Sequence, residues 1–106
     1  MSLSPEKYDL ISAQYALPFY GPKGFEEFIA KLISSLKVGG VFVGQFFGNR
    51  DGWNTPETNL AFQTREEAET LLRDLKIEGF TEEEKDGKTA SGENKHWHVF
   101  HFIASK

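Results

Sequence analysis

The chain has 106 residues, 39% of them hydrophobic and including ten Phe, two Trp and three Tyr, which suits one small domain with a packed core and excludes disorder. It contains no Cys, so disulfides, thiolate nucleophiles and cysteine-based zinc sites are excluded. The formal net charge of −4 disfavours adhesion to nucleic acid or anionic lipid. No apolar run approaches the about 20 residues of a membrane span and no secretory pattern is present, which points to a cytoplasmic chain.

Ser4 to Lys7 reads as a turn. Tyr8 to Ala16 has few charges and little alternation, the pattern of a strand covered on both faces, and Pro18 ends it. Gly21 to Gly24 is a loop. Phe25, Phe28, Ile29, Leu32, Ile33 and Leu36 then fall on one helical face. Glu26 and Glu27 in the first turn and Lys37 near the end suit the helix dipole, and Gly39-Gly40 can stop the helix. Val41 to Phe47 is a second continuous apolar strand, so a parallel strand–helix–strand unit with a right-handed crossover is expected.

Gly48 to Gln63 is a long polar loop with Trp53 in its middle, either packed down as an anchor or lining a ligand pocket. Thr64-Arg65-Glu66-Glu67 is a capping box, and Ala68, Leu71, Leu72 and Leu75 form the apolar stripe of a helix over Arg65 to Leu75. Lys76 to Lys85 is a third strand, with Ile77 and Phe80 inward and Glu82-Glu83-Glu84 solvated. Asp86 to Lys95 is a turn-rich connection, and His96 to Ala104 is the last strand, antiparallel to the third. A ferredoxin-like sandwich suits the two unalternated strands less well than a parallel pair.

The YDLI strand, the helix, and the Leu36-Lys37-Val38-Gly39-Gly40 turn into Val41 to Phe47 together resemble the later half of a class I S-adenosylmethionine-dependent methyltransferase. The resemblance runs from Tyr8 to Lys106 and is similar to the tellurite-resistance-like group that acts on small molecules; Val38 stands where the family often has proline. It implies an α/β fold, a partial Rossmann-like sheet of family strands four to seven with two helices. The last strand is antiparallel, and the spatial order is first, second, fourth, third. It implies S-adenosylmethionine as cofactor and a small-molecule methyl acceptor. The family's sites lie at the carboxyl ends of the parallel strands, which here gives Ser12, Ala13, Gln14, Tyr15, Leu17 and Phe19 after the first strand and Gln45, Asn49 and Trp53 after the second. Gln14 could orient an acceptor, and Tyr15 and Phe19 could wall its pocket.

The family's G-x-G-x-G cofactor loop has no counterpart, because Gly39-Gly40 precedes a strand. The expectation is therefore that residues 1–106 are the C-terminal portion of a methyltransferase and bind the cofactor weakly alone. An open strand edge at Tyr8 to Ala16 suggests the alternative, a non-catalytic module that pairs with a second copy or with a missing N-terminal half.

Other constellations are thinner. His96 and His98 share a strand face and His101 points to the other, with no carboxylate on the same strand, so no metal site is assigned. A His acting as general base at a methyl acceptor is disfavoured by the strand's expected distance from the switch point. Lys85, Lys88 and Lys95 are too sparse for nucleic-acid recognition, and no G-x-S-x-G elbow points to a serine hydrolase.

Overall fold

The computed structural model describes residues 8–13, 15–55 and 57–106. Its order is β1 (Tyr8–Ala13), a 3-10 turn (Leu17–Tyr20), α1 (Phe25–Ser34), β2 (Leu36–Gly48), β3 (Phe62–Gln63), α2 (Arg65–Leu71), β4 (Lys76–Lys88) and β5 (Asn94–Ser105). The sheet runs β1-β2-β5-β4, with β3 added beside the end of β2. β1 and β3 are parallel to β2, and β5 is antiparallel to both β2 and β4. The mixed α/β sheet and the order of the four long strands are those the sequence predicts, whereas β3 lies in the stretch read as a loop and is an unpredicted addition beside β2.

Both helices cover one face. Phe42 and Phe46 of β2 and Phe100, Phe102 and Ala104 of β5 meet Phe25, Ile29 and Ile33 of α1, Ala68 of α2 and Leu72 just after it in one buried cluster. Strand periodicity sends Val43, Gln45 and Phe47, with Val99, His101 and Ile103, to the opposite face. That face is partly bare: Ile103 is 46% exposed and Leu10 on β1 is 59% exposed. Here the expectation for the first strand fails. Only Ile11 and Ala13 of β1 pack against the core, and the strand stops at Ala13 rather than Ala16. Its apolar composition is real, but among the described residues only one face has a neighbouring layer.

The helix boundaries also moved. α1 ends at Ser35, whose amide reaches the Lys31 and Leu32 carbonyls and whose hydroxyl donates to Leu32 O at 2.6 Å. Leu36 then turns into the core as the first residue of β2. Gly39 and Gly40 therefore lie inside β2 and do not stop the helix. Gly39 takes φ +86, a conformation that favours glycine, where the β1–β2 register slips. Lys106 Nζ, from beyond β5, donates to Ile33 O (3.1 Å) and Leu36 O (2.8 Å), satisfying carbonyls that the helix end leaves open. Lys37 is a strand residue, 3.7 Å from Asp9.

α2 starts where its capping box predicts. Thr64 Oγ1 accepts from Glu67 N (3.1 Å), and Glu67 Oε1 accepts from Thr64 N (2.8 Å). The α-helical hydrogen bonding stops at Leu71, yet Leu75 stays buried through the turn that follows. β4 and β5 form a longer hairpin than expected, paired from Lys76↔Ser105 to Lys88↔Asn94. No helix among the described residues is long and apolar enough to cross a membrane.

Candidate functional site

The carboxyl ends of β1, β2 and β3 lie along one rim of the sheet, because all three strands are parallel. Ser12 and Ala13 end β1 beside Val43 and Gly44. Gln14 falls outside the described residues. Tyr15 follows with φ 55, a left-handed backbone that is uncommon for a residue with a side chain. The clamp is Gln45, 5% exposed, whose Oε1 accepts from Tyr15 N at 2.6 Å. The Tyr15 ring then stands edge-on to His101, with centroids 6.1 Å apart.

His101 is the first correction at this site. It pairs directly across from Gln45, because β5 inserts next to β2, so it stands at the rim and not remote from it. Its Nε2 lies 3.3 Å from Glu83 Oε1, and this contact is the main reason the Glu83 carboxyl sits below its ordinary value. Leu17 is the second correction. It is 3% exposed and belongs to the core, so it lines no pocket. Phe19 is exposed and meets the Phe47 ring edge-on at 6.2 Å. Asn49 is exposed just past β2, its amide bonded to Gln63 O and its carbonyl to Asn54 Nδ2.

Trp53 is an anchor. Its ring packs edge-on against Phe47 and tilted against Trp97. Between the rings lies Lys95, 5% exposed, with Nζ 3.4 Å from the Trp97 ring centroid and 4.2 Å from that of Trp53. Nζ also lies 2.8 Å from Asp51, whose two oxygens accept from Trp53 N and His98 N, each at 3.0 Å. Burial pushes the Lys95 ammonium down, and Asp51 opposes that shift. This buried pair fixes the start of the 48–63 loop onto β5. No sequence signal marked Arg50, Asp51 or Lys95 as a group, since they meet only when β5 lies beside β2.

On the helix-covered face, above the apolar core, Glu82 and Glu84 of β4 face His96 and His98 of β5. Glu82-Glu83-Glu84 is thus not a solvated run: it alternates between the two faces and each residue has partners. Arg50 binds Glu84 through Nη2 at 2.9 Å and Glu82 at 3.1 Å. His96 lies 2.7 Å from Glu84 and 2.8 Å from Asp86. Arg65 reaches Glu82 at 3.4 Å. Hydrogen bonds from Arg50 and then His96 hold the Glu84 carboxyl down to about 2. Glu84 and then Asp86 raise the His96 imidazole above its ordinary 6.5. Arg50, Arg65 and His96 thus meet Glu82, Glu84 and Asp86, three cations against three carboxylates.

Ligand atoms of Glu82, Glu84 and His98 lie within 4.8 Å of one another, a span a metal could bridge. The hydrogen bonds argue otherwise. His98 Nδ1 accepts from Arg50 N (3.0 Å), so Nε2 carries the proton and donates to Glu82 Oε2 (2.7 Å). Both ring nitrogens are committed and Arg50 already neutralises the carboxylates, so the set works as an ion-pair network. It depends on Gly48: a Cβ there would lie 2.0 Å from His98 Nδ1. The alternation of Glu82/Glu84 and His96/His98 on neighbouring strands was a sequence signal, but it becomes readable only once the hairpin register is known.

No family model matches the sequence, and no curated protein matches it. Solved structures do. An S-adenosylmethionine-dependent methyltransferase from Methanosarcina mazei is 22% identical, with a TM-score of 0.70 over 100% of this chain and 62% of its own. TehB from Haemophilus influenzae is 16% identical, with a TM-score of 0.76 over 95% of this chain and 36% of its own. The fold is that of the S-adenosylmethionine-dependent methyltransferases. The 1,6-didemethyltoxoflavin-N1-methyltransferase of Burkholderia thailandensis was solved with bound 1,6-didemethyltoxoflavin and S-adenosylhomocysteine. It is 20% identical, with a TM-score of 0.56 over 97% of this chain and 45% of its own. The chain therefore spans less than two thirds of the length of each of these proteins.

The methyltransferase fold raises the question of whether these residues fit the cofactor. Among the described residues no G-x-G-x-G turn joins a strand to a helix, and Gly39-Gly40 is spent inside β2. The described residues therefore do not form the glycine cradle that S-adenosylmethionine would need, and no chemical step is derived through it.

Proposed function

We propose that this chain is the substrate-side portion of an S-adenosylmethionine-dependent methyltransferase acting on a small molecule. The observation that carries the reading is the strained Tyr15 backbone held by Gln45 at the carboxyl end of the parallel β1–β2 pair, on a methyltransferase fold. Strain of this kind persists only where the surroundings over-determine it, and it concentrates at ligand sites. Methyl transfer by direct displacement requires chiefly that nucleophile and methyl donor be aligned. Fixing a rim is the contribution such a portion makes. Ser12, Ala13 and Tyr15 supply its β1 side and Gln45 and Asn49 its β2 side, with Phe19 as an exposed wall and Trp53 as the anchor behind. The adenosine end of the cofactor is left to residues beyond this chain.

Titration of S-adenosylmethionine into the isotopically labelled chain tests this reading. Weak, selective amide shifts at Ser12, Ala13, Tyr15, Gln45 and Asn49 are expected. A well-folded spectrum with no shifts there takes the rim out of the cofactor's path. Submicromolar affinity would mean a complete cradle and overturn the partial-site assignment.

A second reading has its own observation. β1 is an edge of the sheet, and Leu10 on it is largely exposed. An apolar edge strand is a template for another strand, so we also propose that Tyr8 to Ala16 pairs with a second copy or with the remainder of a methyltransferase sheet. A strict monomer at high concentration by sedimentation, together with no binding of a separately supplied N-terminal methyltransferase segment, would count against it.

A further inference from the structure

At the β3 end of the rim, beyond Tyr15, the first turns of α1 and α2 stand apart and leave an open groove of about 480 Å³. This volume is in the range of small-molecule sites. Its lining mixes polar and apolar side chains, with Phe25 from α1, Phe62 from β3 and Leu71 from α2 forming the apolar part. Gln63 also lines it. That residue is 7% exposed, and its Oε1 is buried with no hydrogen-bond partner among the described residues. A buried acceptor left unmet costs about 1–3 kcal/mol, and a fold keeps such a group where something else donates to it.

The local charge specifies the donor. Glu26 and Glu66 stand at the lip, and their carboxylates enter no ion pair among the described residues. No lysine, arginine or histidine lines the groove. A cation is therefore drawn in and an anion repelled. An apolar aromatic patch, an unmet acceptor on one lining residue and carboxylates at the lip together describe a ligand with an aromatic body and a charged N–H group.

We propose that the groove between α1 and α2 binds a small aromatic amine in its ammonium form. The aromatic body lies against Phe25, Phe62 and Leu71, and an N–H donates to Gln63 Oε1. The inference does not depend on the methyl-transfer reading, since it uses neither the Tyr15–Gln45 contact nor the cofactor.

Phenethylamine hydrochloride is the probe, titrated into the labelled chain at constant ionic strength, with phenylacetate as the control of opposite charge. Saturable shifts of the Gln63 side-chain amide and the Thr70 backbone amide are expected, with little response to phenylacetate. Absence of saturable shifts up to about 10 mM, or equal binding of phenylacetate, overturns the proposal. Gln63→Leu is expected to weaken phenethylamine about tenfold while raising the Tm of the free chain, because it removes the unmet acceptor. Unchanged affinity, or a lowered Tm, means that the amide serves the fold and not a ligand. Glu66→Lys, at an exposed position, is expected to fold normally and to weaken the amine; undiminished binding in that variant also overturns the assignment.

Discussion

β4 runs along one edge of the sheet for 13 residues and carries charge at Lys76, Glu78, Glu82, Glu83, Glu84, Lys85, Asp86 and Lys88. β1, at the other edge, has six residues and a single charge, Asp9. The β4 charges are tied inward: Glu82 and Glu84 to Arg50, Asp86 to His96, Glu83 to His101 and Lys85. On β1, Tyr8 and Leu10 are exposed at 36% and 59%. Charged edges resist pairing with another chain, and apolar ones invite it. One side of the sheet is thus completed by its own contacts, while the other leaves apolar side chains exposed. The completed side also holds the buried Lys95–Asp51 pair, so the ion-paired elements and the proposed pairing edge lie on opposite sides of the sheet.

The sharpest way to break this contrast is to damage the completed side. Asp51→Ala leaves the Lys95 ammonium buried without its counter-ion, and a loss of about 3–5 kcal/mol is expected by urea denaturation. Leu10→Ala on β1 should cost less than about 1 kcal/mol in the same assay, because its side chain is already largely in water. If the two losses are similar, stability is not concentrated on the β5 side.

Gly48→Ala probes the same side by overpacking. The added methyl meets the His98 ring, which is fully buried, and about 2–3 kcal/mol of destabilisation is expected. Combining it with His98→Ala should recover part of that loss, so the double-variant cycle reads the contact directly.

A smaller effect separates the edges by pH. The His96 value is raised in the fold, so its contribution is fully present below the ordinary 6.5 and is lost as pH rises through the raised value. Glu84 is depressed to about 2, so its contribution is fully present above the ordinary 4.5 and is lost as pH falls toward about 2. Stability is therefore expected to be greatest between these limits. Arg50→Met and His96→Phe together should flatten the profile, whereas Leu10 variants should leave its shape alone.

The smallest expected change in stability is at Leu10→Lys, within about 0.5 kcal/mol. Its effect on association should be large: a charge on the edge strand should abolish concentration-dependent sedimentation. Persistent self-association in that variant would move the interface away from β1.

Much of this architecture was legible in local chemistry. The Thr64–Glu67 capping box marked the start of α2 to the residue, since two reciprocal hydrogen bonds within four residues need no distant partner. The stripe from Phe25 to Ile33 marked α1 for the same kind of reason, a face repeated at helical spacing. The end of α1 was misplaced because Gly39-Gly40 looked like a stop. Leu36 instead turned inward, and the carbonyls behind it were satisfied by Lys106, 70 residues on from Leu36. Leu17 looked like a rim residue because it follows a strand, but the 3-10 turn after Tyr15 carries it into the core.

At the candidate site, position along the strands could be read but partnership could not. The sequence placed Tyr15 and Gln45 at two strand ends. Only the fold set Gln45 Oε1 against the Tyr15 amide and brought His101 beside them. The same holds for Arg50, whose partners Glu82, Glu84 and His98 lie on two other strands, and for the Lys95 cage, whose rings come from β2, the following loop and β5.

The sequence by itself determined both helices and the four long strands, the parallel β1–β2 pair, the inserted antiparallel last strand and the methyltransferase likeness, because each is encoded in short-range spacing of apolar, glycine and capping residues; the short β3 and the 3-10 turn were not among them. The tertiary structure alone decided which charges pair, where the backbone is strained, which face stays bare and which buried acceptor is left unmet, because those properties depend on strand register and on contacts between residues distant along the chain.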